Sequence, residues 1–179
     1  MKRISSLIAL AFVALAVLAV VATAGAGGGR QGDHGNTTRS ATPVFRLLLE
    51  PRQEVPRVDL RAFANGNVTF DLTRDDTGRI TDGEVVFYFN YRFRQPVEIV
   101  GLHIHQAAKG VNGPIVVNSG LTAFTDADGN GNVTTVVTGV DPALLQAILD
   151  NPRGYYVNLH TSEFPAGATR DQLGHPKRF

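Results

Sequence analysis

Two histidines, His103 and His105, stand two residues apart in Ile99–Val117, which reads IVGLHIHQAAKGVNGPIVV. In a β-strand such residues project from one face, about 6–7 Å apart at Cα, a spacing that one metal ion bridges. Val100, Leu102 and Ile104 have the opposite parity, so the strand is expected to carry an apolar face and an imidazole face. His160 ends the run Tyr155–His160 on the parity of Tyr156 and Asn158, opposite Tyr155, Val157 and Leu159. That places it on the wet face of another strand. Cu²⁺ and Zn²⁺ both accept imidazole and carboxylate, so His103, His105 and His160, with Glu54 as a further candidate, make a metal shell. The competing reading is a polar seam in which the imidazoles hydrogen-bond one another, a backbone carbonyl or Glu54. Coordination requires neutral imidazole, so an ordinary site would lose affinity as the pH drops through about 6.5.

Arg170 lies ten residues beyond His160. It is placed to hold an anion or a substrate oxygen beside the imidazoles, or to pair with Glu163 or Asp171. Asp126, Asp128, Asn130 and Gly131 match the first half of a calcium loop. Its twelfth position is Val137 rather than a bidentate Glu, and the flanks read as strands, so a hairpin turn is the better reading. The chain contains no G-x-S-x-G, no glycine-rich phosphate loop before a helix and no H-E-x-x-H. With neither a nucleophile nor an acid–base pair to assign, a binding or structural role is favoured over an enzymatic one. A bound metal would supply both a Lewis acid and an activated water.

The elements that must position these residues read as strands between turn signals. Val44–Leu49 is an apolar run, and Glu50–Pro56 carries two prolines suited to an edge or a loop. Asn65-Gly66-Asn67 is expected to turn the chain into the alternating Val68–Leu72, and Asp75-Asp76-Thr77-Gly78 to turn it again. In the next strand Val85, Phe87, Phe89, Tyr91 and Phe93 share the core parity, while Val86, Tyr88, Asn90 and Arg92 face a half-wet side. Further strands are expected at Ile115–Val117, Leu121–Phe124, Asn132–Thr138 and Tyr155–His160. Asp141-Pro142 opens one short helix near 141–150, with Asp as N-cap and Pro at the first helical position. Such a pattern predicts an all-β chain, an antiparallel sandwich or barrel, with Phe70, Leu72, Phe87, Phe89 and Leu102 buried.

Lys2 and Arg3 precede an apolar run to Val21, followed by Ala22-Thr23-Ala24 and Ala24-Gly25-Ala26. This is the layout of a secretory signal peptide cleaved after Ala24 or Ala26, with an uncleaved membrane anchor over 1–26 as the alternative. Either way the remainder is exported, to a secreted, periplasmic or cell-surface location, and touches a membrane only through 1–26. Residues 27–43 are Gly-rich and polar, a disordered tether in which His34 reads as a solvated linker residue. Residues 44–179 suffice for one core and one domain. Apart from Lys2 and Arg3 the chain carries 15 basic against 16 acidic residues, which offers nucleic acid no electrostatic footprint. With no cysteine, disulfides, thiolate sites and cysteine catalysis are excluded. Asn36, Asn67 and Asn132 begin glycosylation sequons.

Glu54-Val55-Pro56, GLHIHQAAKGVNGPIVV and NPRGYYVNLHTSEFPAGATRDQL follow in that order, and together they resemble the signature blocks of the CHRD domain. That module is named from the animal protein chordin and occurs in many exported microbial proteins. The resemblance covers Val44 to about Leu173. It implies an immunoglobulin-like β-sandwich in an extracytoplasmic setting, with an unidentified surface or protein partner and, for microbial members, no established activity. The family pattern has Gly-Glu before an apolar residue and Arg, whereas here Ala168 follows Gly167. An exported sandwich with His-x-His on a strand is also similar to the copper–zinc superoxide dismutases. This chain departs from them in lacking a cysteine pair and a histidine-rich zinc loop between the two histidine blocks, so a copper- or zinc-dependent enzyme of dismutase-like type is the alternative to a binding module.

Overall fold

The computed structural model describes residues 42–178. The expected signal or anchor segment, the tether up to residue 41 and His34 lie outside the described residues. Among the described residues, ten strands form two antiparallel sheets. Sheet A runs in the order β10 (Lys177–Arg178), β1 (Pro43–Leu49), β2 (Phe63–Arg74), β3 (Ile80–Arg92), β7 (Asn130–Val137). Sheet B runs β5 (Ile115–Asn118), β4 (Val97–Gln106), β8 (Tyr155–Thr161), β9 (Thr169–Gln172), with β6 (Phe124–Asp126) also on β4. The architecture is a β-sandwich, not a barrel. The sheets meet at one margin through a single bridge, in which the Glu50 and Arg170 backbones exchange N–H···O bonds of 3.0 and 3.3 Å.

Strand parity sets the core. Val85, Phe87, Phe89 and Tyr91 point inward from β3, and Phe93 just beyond it is buried with them, in one core with Phe45, Val68 and Phe70 of sheet A and Ile99, Leu102, Ile104, Val157 and Leu159 of sheet B. Phe70, Phe87, Phe89 and Leu102 are inaccessible, as expected, but Leu72 is only half-buried. It packs near the sheet end, where Gly83 leaves room for its side chain and that of Leu145. The helix α1 (Pro142–Asp150) lies against β3 and buries Leu145 and Ile148, and the Asp141 carboxylate accepts the Ala143 N–H at 2.9 Å as its cap.

Four local expectations are corrected. Asn65-Gly66-Asn67 is not a turn: it lies within β2, paired to Arg46, Leu47 and Leu48 on one side and Asn90, Phe89 and Tyr88 on the other. Gly66 serves close backbone approach, since a Cβ there would stand 1.9 Å from the Tyr88 carbonyl oxygen. The Asp126–Asn130 turn is not a hairpin, because β6 pairs with β4 in sheet B while β7 pairs with β3 in sheet A. There the Asp126 carboxylate accepts the Asp128 and Gly129 N–H groups and the Tyr91 hydroxyl. Val100 does not share the face of Leu102 and Ile104, because a register shift between Ile99 and Gly101 hands the core position to Ile99 and leaves Val100 half-exposed. Lastly β9, which carries Arg170, lies beyond the last strand expected before Leu173. Asp75–Gly78 turns as expected, with Asp75 accepting from Thr77 and Arg79.

Candidate metal centre

β4, β8 and β9 lie side by side in sheet B, and their register builds the site row by row. Gly101 faces His160, His103 faces Asn158, which in turn faces Arg170, and His105 faces Tyr156. The histidines of two distant segments thus meet on the outer face. Their ring centroids are 4.7 Å apart for His103 and His160, 5.7 Å for His103 and His105, and 5.8 Å for His105 and His160. One ligand nitrogen from each of the three lies within 4.8 Å of the others. Gly101 makes the approach feasible, since a Cβ there would stand 2.8 Å from Cε1 and 3.2 Å from Nε2 of His103.

Two of the imidazoles have their tautomers fixed by the backbone. His105 Nδ1 lies 2.9 Å from the Gly113 carbonyl and His160 Nδ1 lies 3.0 Å from the Pro165 carbonyl. A carbonyl only accepts, so in each ring Nδ1 carries the proton and Nε2 keeps a bare lone pair. Those two Nε2 atoms, and Nδ1 of His103, are buried without a hydrogen-bond partner. Orphaned polar atoms are costly in a protein interior, and imidazoles held from behind by a carbonyl are the usual arrangement of metal ligands.

The face is not wet. All of β8 is buried, with Tyr156, Asn158 and His160 at 2%, 1% and 7% exposure; the 107–114 loop reaches it through the Gly113 N–H, which donates to the Tyr156 hydroxyl at 3.3 Å. Arg170 fastens that loop. Its guanidinium donates to Asn112 Oδ1 at 3.1 Å, to the Val111 carbonyl at 2.9 Å and to the Ala108 carbonyl at 3.4 Å. Asn112 in turn donates to the Val55 carbonyl. The Arg170 Cζ also sits 3.4 Å from the Tyr156 ring centroid, and Tyr156 stacks on His105 at 4.8 Å and 10°. Arg170 therefore turns to neither Glu163 nor Asp171, and its donors hold the loop rather than an anion. Tyr156, Asn112 and Asn158 complete the site. Tyr156 and Asn158 share the parity of His160, which was the signal that could have singled them out.

Burial dominates the electrostatics. Desolvation, reinforced by the neighbouring His160 and His105, lowers His103 to about 4, and desolvation also lowers His105 and His160. All three are neutral at ordinary pH. Glu54 is pushed up to about 7 by burial, against the opposing pull of Arg170 and of Asn158. Its carboxylate fits beside Asn158 because Gly167, at φ +135°, has no Cβ: one would stand 2.6 and 2.7 Å from the two carboxylate oxygens. The acid that the family pattern places at residue 168 is replaced by a buried Ala168.

An antiparallel β-sandwich with a histidine cluster on one outer face defines the class. The family model of the CHRD domain matches residues 45–173, and the chain belongs to that family. No curated protein and no solved structure matches it. Among the described residues no helix is long and apolar enough to cross a membrane.

Proposed function

We propose that this CHRD-domain protein is an exported binding module whose outer face holds Cu²⁺ or Zn²⁺ on His103, His105 and His160, with Glu54 and Arg170 behind them. The observation that carries the reading is the convergence of the three imidazoles, each offering one ligand nitrogen within 4.8 Å of the others, with two of the rings anchored through Nδ1 to backbone carbonyls. Metal–nitrogen bonds of about 2.0–2.1 Å set donor separations of roughly 3.3 Å, so small side-chain rotations close the shell. His103 is only half-buried, which suits a ligand reached from solvent. Copper- or zinc-dependent chemistry of dismutase-like type at the same histidines is the alternative, and a superoxide assay of the metal-loaded chain tests it. Export rests on the amino-terminal charge, apolar run and small-residue site, and amino-terminal sequencing of the extracytoplasmic product tests it.

The metal reading is tested on the chain purified without chelator or affinity tag, by metal analysis followed by calorimetric titration with Cu²⁺ and with Zn²⁺. Binding raises the melting temperature, as any native-state ligand does. His103→Ala, His105→Ala and His160→Ala each weaken it. Because burial lowers all three imidazoles, His103 to about 4, affinity persists below the ordinary histidine range. Equal affinity in the wild type and all three variants, or none in any, overturns the reading and leaves a polar seam.

A further inference from the structure

Three histidines are one ligand short of a closed tetrahedral metal site, and the residue at their centre is Asn158. In the register of sheet B, Asn158 faces His103 directly, precedes His160 on the same strand face, and lies diagonal to His105, whose own partner is Tyr156. It is 1% exposed, yet its Oδ1 has no hydrogen-bond partner. Glu54 orients the amide from the other side. A Cβ on Gly167 would stand 2.5 Å from Asn158 Nδ2 and 2.6 and 2.7 Å from the two Glu54 carboxylate oxygens, so nitrogen and carboxylate share that gap. A carboxylate accepts and an amide nitrogen donates, which leaves Oδ1 to the histidine side. There it meets another acceptor. Asn158 stands close enough to His105 to favour a charged ring, but the proton of neutral His105 sits on Nδ1 against the Gly113 carbonyl. Nε2 and Oδ1 therefore both offer lone pairs, and neither serves the other.

Glu54 does not close the shell. Among the described residues, the donors close enough to share one ion are the three histidines, without a carboxylate. Glu54 enters from the β9 margin, where Glu50 bridges Arg170, so β8 lies between it and the two histidines of β4. An ion held by three imidazoles keeps one position for an outside ligand, whereas structural sites use four protein ligands. Amide oxygens suit Mg²⁺, Ca²⁺ and Mn²⁺, while imidazole suits Cu²⁺ and Zn²⁺, so Oδ1 is matched to a hydrogen on the outside ligand rather than to the ion. That selects a small molecule carrying its own O–H or N–H. His103, the half-buried member of the three, marks the side from which it enters.

We propose that Asn158 is a positioning residue: with the ion on His103, His105 and His160 alone, its Oδ1 accepts a hydrogen bond from a small protic ligand, such as water, in the remaining position. This rests on the metal reading, and the experiment separates the two. The full chain loaded with Cu²⁺ is followed by solvent-proton relaxation, which reports water exchanging on the ion. Absorption is recorded alongside during titration with azide, an anion with no hydrogen to offer Oδ1. Bound copper speeds the relaxation, and azide reverses that gain as its charge-transfer band grows. Asn158→Leu removes the acceptor, so azide competes better and its affinity for the copper rises about three- to tenfold, the worth of one hydrogen bond. Copper affinity changes little, because Gly113 and Pro165 rather than Asn158 anchor the rings of His105 and His160. Asn158→Ala removes the same acceptor and repeats the measurement should Leu not fit. A purely structural Asn158 gives the opposite split, with copper affinity lowered and azide affinity per bound copper unmoved. Copper bound with neither a relaxation gain nor an azide band means a fourth protein ligand. Either of these results overturns the proposal and leaves the metal reading standing, whereas no copper binding overturns both.

Discussion

Replacing Glu54 by Gln tests whether burial or the neighbouring guanidinium governs the polar cover of the histidine site. Glu54 is 6% exposed, and desolvation raises its carboxyl from 4.5 to about 7 although Arg170 and Asn158 pull the other way. At about 1.36 kcal/mol per pKa unit, ionising it in the folded protein costs on the order of 3 kcal/mol. Below pH 4.5 the group is protonated in both states and contributes no penalty. Between 4.5 and 7 the folded state binds the extra proton, so stability falls as pH rises through that window and stays low above it. Gln mimics the protonated acid in shape and hydrogen bonding. Glu54→Gln should therefore match the wild type near pH 4 and exceed it by about 3 kcal/mol near pH 8, measured by urea unfolding of chelator-treated protein. Parallel profiles would refute the reasoning. A variant less stable than the wild type at pH 8 would mean that attraction to Arg170 outweighs desolvation.

Two further outcomes follow from the packing. Gly101→Ala pushes a methyl group to within 2.8 Å of His103, so it should lower metal affinity at least about tenfold, while overpacking costs about 1–3 kcal/mol of stability; the same titration calorimetry and a urea curve separate the two effects. Phe87→Ala empties an inaccessible core position and should cost about 3–5 kcal/mol by urea unfolding, against well under 1 kcal/mol for truncating the 52%-exposed Val136.

How much could be read in advance divides along physical lines. Parity along β3 identified the aromatic core, because a period of two is a local property of extended chain and needs no partner. The same property placed His103 beside His105, and gave His160 its face. Asp141-Pro142 marked the helix start for a similarly local reason, since the Asp141 carboxylate caps an N–H two residues on. Gly and Asn misled at Asn65–Asn67, where they read as a turn. The preference behind that reading is only statistical, and pairing on both sides overrode it.

Pairing itself was beyond local reading. That β4 lies beside β8 with Gly101 opposite His160 depends on register between segments far apart in the chain, and only that register brings the three imidazoles to one point. The covering loop, the carbonyls of Gly113 and Pro165 that fix two tautomers, and the clasp of Arg170 on Asn112 likewise exist only once the sheets are assembled. The Glu54 carboxyl is raised for the same reason: the residue type supplies the charge, but the low-dielectric surroundings that oppose it come from chain folded over it. Residue types and parity determined which side chains could do chemistry, and tertiary structure alone decided which of them meet, how dry they are and which nitrogens remain bare.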